Sequence, residues 1–199
     1  MTMQIDTKVA TRLKDIGGVI LFVAAVFIGA LLINTFVFRS FNVDGPSMED
    51  TLHTGDRLIV NRLPVTWAKI RGVDYIPERG QVIVFKNPKW QPGEVNEYIV
   101  KRVIAFPGER VTVKNGKMMV YPSDHPEGID VDEEHPGALQ PTDGNVDMVV
   151  SEGQIFVAGD HRQDPYSLDS RNGLGTIPFD DIIGPVNIRI FPFNQIRFF

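Results

Sequence analysis

Two side chains in this sequence have the chemistry for covalent catalysis. Ser47 lies in FNVDGPSMEDTLHTGD (residues 41–56), where Gly45-Pro46 sets a tight backbone on which an exposed hydroxyl and a free amide converge. Lys101 lies in EYIVKRVIAFPGE (97–109), inside an otherwise apolar stretch. Strand alternation puts Lys101 and Arg102 on opposite faces, so at most one of them is expected to be buried. An outward lysine is a solvated ammonium, the common case for this residue type. An inward one is desolvated, its pKa falls, and it becomes a general base near neutral pH. Both orientations fit the sequence at this point.

Histidine is the next candidate base. His53 follows Ser47 by six residues and His161 adjoins Asp160, yet neither sits in a G-x-S-x-G elbow. A surface or turn position is expected for both. Cysteine is absent from the 199 residues, which excludes a thiol nucleophile, a cysteine zinc site, an iron–sulfur cluster and a disulfide. His125 and His135 flank the carboxylates of the acidic stretch 122–149, but their spacing matches no calcium or zinc motif. No metal or organic cofactor follows from the residues. The net charge of −5 argues against a nucleic-acid partner.

The elements that must position these residues begin with a membrane segment. Residues 16–38 read IGGVILFVAAVFIGALLINTFVF, with no charge and only Asn34 and Thr35 polar. Twenty-three helical residues span about 34 Å, enough for a hydrocarbon core of roughly 30 Å. A cleaved signal peptide has a shorter apolar region and a small-x-small exit, whereas this run leaves through NTFVFR. An uncleaved anchor is therefore expected. Lys8, Arg12 and Lys14 precede it, and basic residues beside a span stay cytoplasmic. Arg39 on the far side reduces the asymmetry without reversing it. Residues 1–15 are expected inside the cell, 16–38 in the bilayer and 39–199 outside.

Beyond the anchor the pattern becomes short and alternating. Segments 57–61 (RLIVN), 81–85 (QVIVF), 98–104 (YIVKRVI), 110–113 (RVTV), 117–121 (KMMVY) and 154–158 (QIFVA) read as strands. A last strand is expected over 181–190, with Pro185 at an edge or bulge. Asn115-Gly116 predicts a type I′ hairpin turn. Little helix is expected apart from a turn after Ser47. Residues 122–149 read as an acidic, loop-rich insertion between strands and not as a second core. The fold class is mostly β: one N-terminal transmembrane helix, then an extracytoplasmic all-β domain with a small inserted loop-rich subdomain.

These pieces carry a family resemblance. In order they are the N-terminal anchor; VDGPSM (43–48) followed by Thr51-Leu52; GDRLIVN (55–61); RGQVIVF (79–85); YIVKRVI (98–104) with Pro107-Gly108; and GDHR (159–162) with SLDSR (167–171). The sequence resembles the bacterial type I signal peptidases, membrane-bound serine proteases that remove signal peptides from exported preproteins. Any one block alone is weak, but several in register are not a chance pattern.

The resemblance implies a Ser–Lys dyad, with Ser47 as nucleophile and Lys101 as the neutral amine that takes its proton on the way to an acyl-enzyme. Ser167 would orient the Lys101 amine, and Asp169 and Arg171 would brace that loop. The Ser47 amide would donate to the oxyanion. Bulky walls for shallow alanine pockets would come from Phe41, Val43, Met48, Leu52, Val84, Ile99 and Val100, each of which serves equally well as core. Partners would be signal-peptide-bearing preproteins and the lipid bilayer, at the cytoplasmic membrane of a bacterium. An exposed apolar rim including Trp67 or Trp90 would dip into the lipid surface.

The sequence also departs from the family pattern. Gly45 stands where some members place an oxyanion-hole serine, Asp50 replaces a usual proline, and His161 stands where asparagine is common. Two other functions remain in competition: a single-span peptide-binding or assembly factor that does not cut, and a self-cleaving Ser–Lys domain, against which the long anchor argues.

Overall fold

The computed structural model describes residues 3–134 and 138–199, and their side chains within 14–133 and 138–199. His135 of the acidic stretch lies outside the described residues. Helix α1 runs Met3–Phe36, and the most apolar 18-residue stretch of its Lys14–Phe36 portion has mean hydropathy 2.9 and is not buried against the protein. Its length and composition suffice to cross a membrane. The apolar helix stops short of residue 38. Phe38 instead opens β1 (Phe38–Asn42), which pairs antiparallel with β2 (Arg57–Asn61), Phe38 opposite Asn61.

The main sheet also contains β3 (Val82–Lys86), β4 (Tyr98–Ala105), β9 (Gln154–Ala158), β10 (Ile177–Pro178), β11 (Ile182–Phe191) and β12 (Arg197–Phe198). Its order is β1-β2-β11-β3-β4-β9-β10, with β12 paired to β11. In β3 side chains alternate between two cores: Ile83 and Phe85 join Val103, Ile155 and Val157, while Val82 and Val84 join Met48, Leu52, Leu58 and Val60. Burial on both faces explains why VIVF reads as a continuous apolar run. The register of β11 shifts on either side of Pro185, between Ile182 and Gly184 and between Val186 and Ile188, as the proline suggested.

A second, four-stranded sheet holds β5 (Arg110–Lys114), β6 (Lys117–Tyr121), β7 (Ile129–Asp130) and β8 (Val146–Val149) in the order β7-β6-β5-β8. Asn115 and Gly116 have φ of 54° and 79°, the left-handed pair that a type I′ turn requires. The acidic stretch is more than solvated loop. It supplies both edge strands of this sheet and the one-turn helix α3 (Val131–Glu134), and buries Val131 and Val146 with Val111, Val113 and Met118. Several of its carboxylates have specific partners: Asp147 takes Arg110 and Lys114, Asp130 takes Lys117, and Asp132 takes the buried Arg162.

One helix was not expected. Helix α2 covers Leu63–Arg71, with a proline in its first turn and Gly72 at φ 68° closing its C-terminus. Val65, Thr66, Trp67 and Ile70 are poor helix formers, so propensity pointed elsewhere. The proline-at-start, glycine-after-end pattern was the legible signal.

Candidate active site

Gly45 adopts φ 93°, a conformation that residues with a side chain rarely take, and its amide donates to Thr54 Oγ1 at 3.0 Å. This bend lifts the chain off β1 and presents Ser47. Beyond it the amides of Glu49, Thr51 and Leu52 close a turn, those of Thr51 and Leu52 both onto the Met48 carbonyl at 2.8 Å. Met48 and Leu52 are wholly buried and tie that turn to the core. The Ser47 amide donates to no carbonyl among the described residues.

Lys101 reaches this turn from β4. Alternation sets it on the face of Ile99 and Val103, which pack with Ile83 and Phe85. Its side chain is buried, and Nζ donates to Ser47 Oγ at 2.7 Å and to the Val100 carbonyl at 3.0 Å. Burial lowers the Lys101 pKa from 10.5 to about 8, against Asp169 and Asp160, which raise it. Of the two orientations open in the sequence, the inward one is found.

Arg102, on the opposite face, is also largely enclosed, with its side chain 14% exposed. Its Nε and Nη2 donate to the buried Asp160 carboxylate at 2.8 and 2.5 Å, and Nη1 donates to the Gly80 carbonyl at 2.7 Å. The expectation that at most one of the pair would be enclosed fails because both faces of β4 are covered. A guanidinium tolerates this when a bidentate carboxylate matches it.

The loop after β9 closes the site from below. Ser167 Oγ donates to Asp169 Oδ2 at 2.7 Å and makes no hydrogen bond to Lys101, so the expected orienting contact is absent in this structure. The physical reason is Asp169, which lies wholly buried and accepts the Ser167 hydroxyl together with several neighbouring donors. It accepts from the Gly159 amide at 2.8 Å, the Arg171 amide at 3.0 Å and the Arg171 guanidinium at 2.9 and 2.8 Å. Burial alone would raise the Asp169 pKa, but Arg171, the Gly159 amide and the Ser167 hydroxyl together hold it below the usual carboxylate value. Arg171 also reaches the Arg162 carbonyl, which ties the loop to itself.

His161 takes the turn alternative of its expected surface or turn position, in the 159–171 loop, with its side chain 12% exposed. Its amide donates to the Ser47 carbonyl at 3.2 Å, its ring Nδ1 lies 3.3 Å from the Pro46 carbonyl, and the ring stacks on Tyr166 at 4.4 Å. His53 is half exposed beside Asp50. Among the described residues no three His, Asp or Glu side chains gather closely enough to hold a metal ion.

Two cavities share Val43, Tyr98, Ile99 and Val100 as lining, and the larger reaches Ser47. The larger, about 390 Å³, is lined by Ser47, Lys101, Val43, Gly45, Val100 and Tyr166, among others. A small one of about 40 Å³ is lined by Phe41, Val43, Leu58, Val84, Tyr98, Ile99 and Val100. Five of the seven expected wall residues are therefore at a cavity, whereas Met48 and Leu52 are core beneath the turn. Tyr98 and Leu58 were missed; both lie on predicted strands, and no sequence signal distinguishes a wall from a core position there. Arg39 stacks over the Phe41 and Tyr98 rings at 5.0 and 4.4 Å.

Backbone is also free beside the cleft. Strand β1 is a sheet edge, and β4 pairs with β9 only from Arg102 onward, leaving Tyr98 to Lys101 open on that side. Such edges accept an extended peptide as an added strand.

Residues 16–191 match the family described as signal peptidase, peptidase S26. A protein of Bacillus amyloliquefaciens named Signal peptidase I is 36% identical over 179 residues, covering 84% of each chain. Signal peptidase I T of Bacillus subtilis (strain 168) is 37% identical over 180 residues, covering 84% of this chain and 81% of its own. The crystal structure of a signal peptidase I from Enterococcus faecalis V583 aligns with a TM-score of 0.41 at 22% identity, over 55% of this chain and 96% of that one. With the family match running from the apolar helix to the end of β11, this chain belongs to the signal peptidase, peptidase S26 family.

Proposed function

We propose that the chain is a serine endopeptidase that removes N-terminal signal peptides from preproteins, held at the outer face of a bacterial cytoplasmic membrane by α1. The observation that carries this reading is the 2.7 Å approach of the buried Lys101 amine to the half-buried Ser47 hydroxyl, at the mouth of a cleft flanked by free strand edges. The neutral amine takes the Ser47 proton as Oγ attacks the scissile carbonyl, forming a tetrahedral oxyanion beside the Ser47 amide. Collapse expels the new amino terminus, which receives the proton from the Lys101 ammonium. Water, deprotonated by the same amine, then releases the signal peptide from the acyl-enzyme and restores Ser47.

Substrate enters as an added strand between β1 and the open half of β4. The 40 Å³ cavity has room for a methyl-sized side chain, which suits the small residues that precede a signal-peptide cut. Phe41, Val43, Val84, Ile99 and Val100 form its apolar wall. Asp169 and Arg171 act as the rigid base of the 159–171 loop. The amino-terminal segment lies in the cytoplasm, by the basic residues before the span.

The test is cleavage of a purified preprotein, with alanine just before the cut, by the full chain in detergent. Product is expected from the unaltered protein and from none of Ser47→Ala, Lys101→Ala or Lys101→Arg. Undiminished cutting by any of them removes the dyad, and a stable complex with intact preprotein marks a binding protein.

A further inference from the structure

The 159–171 loop carries two apolar side chains that neither the core nor the dyad uses. Burial alternates along it: Ser167 and Asp169 are buried, whereas Tyr166 and Leu168 are 52% and 53% exposed. Both exposed side chains line the 390 Å³ cavity that reaches Ser47 and Lys101. The backbone beneath them is fastened. Asn172 Nδ2 donates to the Ser167 carbonyl and to Asp164 Oδ1, each at 2.6 Å, and the Tyr166 amide donates to the Gln163 carbonyl at 3.2 Å. The Tyr166 ring stacks on the His161 ring with the two planes 21° apart. His161 is itself tied to the Ser47 turn, through its amide on the Ser47 carbonyl and its ring beside the Pro46 carbonyl. A ring braced in this way makes contact at little cost in conformational entropy.

Place along the cleft decides which part of a substrate this surface meets. The small cavity suited to residues before the cut lies against Tyr98–Val100, and Ser47 meets β4 at Lys101. A peptide laid on that free edge, with its carboxyl side toward Ser47, continues past Lys101. There the edge is no longer free, because Arg102 already pairs with Ala158 of β9. The released portion must therefore leave the sheet and cross the loop that follows β9.

We infer that Tyr166 and Leu168 form a subsite for an apolar side chain just after the scissile bond, at one of the first two residues of the released chain. The inference rests on the proteolytic reading above and adds to it a preference on the leaving side of the cut. An extended chain points alternate side chains the same way, so one of two neighbours faces the loop. Among the described residues, the loop contributes only Tyr166 and Leu168 to the cavity lining, and no charged side chain. A leucine or phenylalanine laid on this surface leaves water and meets a ring and an isobutyl group. Glycine buries too little to gain, and aspartate finds no counter-charge there.

The test uses the full chain in detergent and a purified preprotein with alanine fixed just before the cut. The first and second residues after the cut are varied in turn among glycine, aspartate, leucine and phenylalanine. At one of these positions kcat/KM is expected to be about tenfold higher for leucine or phenylalanine than for glycine, the low end for an apolar contact because the surface is open on one side. Tyr166→Ala and Leu168→Ala are each expected to cut that ratio to about threefold or less, and Tyr166→Phe to keep it. The preference for alanine over leucine just before the cut is expected to hold in every variant. Leu168→Ala leaves the ring stacked on His161, so it remains a valid probe should Tyr166→Ala unseat the loop.

A preprotein series that the unaltered protein leaves uncut overturns the proteolytic reading and this inference with it. Cutting at equal rates across the series overturns the inference alone. A ratio that survives both alanine variants does the same. Uniform loss on every substrate, with the ratio kept, shows that Tyr166 only braces His161 and also overturns the subsite.

Discussion

Gly159 lies against Ser47 so closely that a methyl group on Gly159 would overlap the Ser47 carbonyl oxygen, and the Ser167 hydroxyl on its other flank. The Ser47 turn therefore rests on bare backbone, and the adjacent His161 amide holds the same carbonyl. Gly159→Ala is expected to push Ser47 off the Lys101 amine. A shift of this kind costs on the order of a hundredfold in kcat/KM. Unchanged kcat/KM in a folded Gly159→Ala protein would show that the contact positions nothing.

In the proposed mechanism Lys101 and Ser47 act as a unit, so their losses are expected not to add. Removing a positioned general base costs about 10²–10⁴-fold, and Ser47→Ala with Lys101→Ala is expected to be no worse than Ser47→Ala alone. Rates of preprotein cleavage by the two single variants and the double variant check this.

The buried amine sets the pH dependence. With a pKa of about 8, Lys101 is protonated and inactive as a base below that value, so kcat/KM should rise through about pH 8 and level off above it. A profile flat down to pH 5 would contradict a lysine base. Stability follows the same group with a definite sign. Between about pH 8 and 10.5 the unfolded chain holds a proton on Lys101 that the folded chain does not, so this group adds stability as pH rises across that window. Urea melts of the wild type and Lys101→Met, taken at both ends of the window, isolate the contribution.

Asp169 and Arg171 are fully enclosed, their side chains 0% and 1% exposed. Removing one partner leaves the other charge buried without its counterion, at a cost of about 3–5 kcal/mol. Asp169→Ala is therefore expected to lower the urea midpoint sharply. Pairing it with Arg171→Met should recover much of the loss, because the stranded charge is then gone. If the double variant is as unstable as the sum of the singles, the pair is not the source.

Much of the architecture was readable because it depends on local periodicity. The 117–121 and 154–158 segments are strands at the expected bounds, and Asn115-Gly116 turns as its two positive φ values demand. Errors came where distant partners overrode local preference. Helix α2 forms from residues of low propensity because Val65 and Ala68 have a core to enter. The acids of 122–149 looked like solvated surface, yet Asp132 meets Arg162 thirty residues away and Val146 completes a core with Val111. Met48 and Leu52 were indistinguishable from pocket walls until packing placed them under the Ser47 turn.

The sequence by itself determined the apolar span and the mostly β domain, since chain composition and short-range alternation dictate both, and the family resemblance singled out Ser47 and Lys101. Only the tertiary structure decided that Lys101 points inward and meets Ser47, that Ser167 serves Asp169 rather than the amine, and that Arg102 is enclosed as well. The reason is that Lys101 and Ser47 stand 54 positions apart. Strand alternation names two faces without saying what covers either one. Coverage is set by the pairing of β3, β4 and β9 and by the loops laid across them, and burial, with the pKa it lowers, comes from that coverage alone.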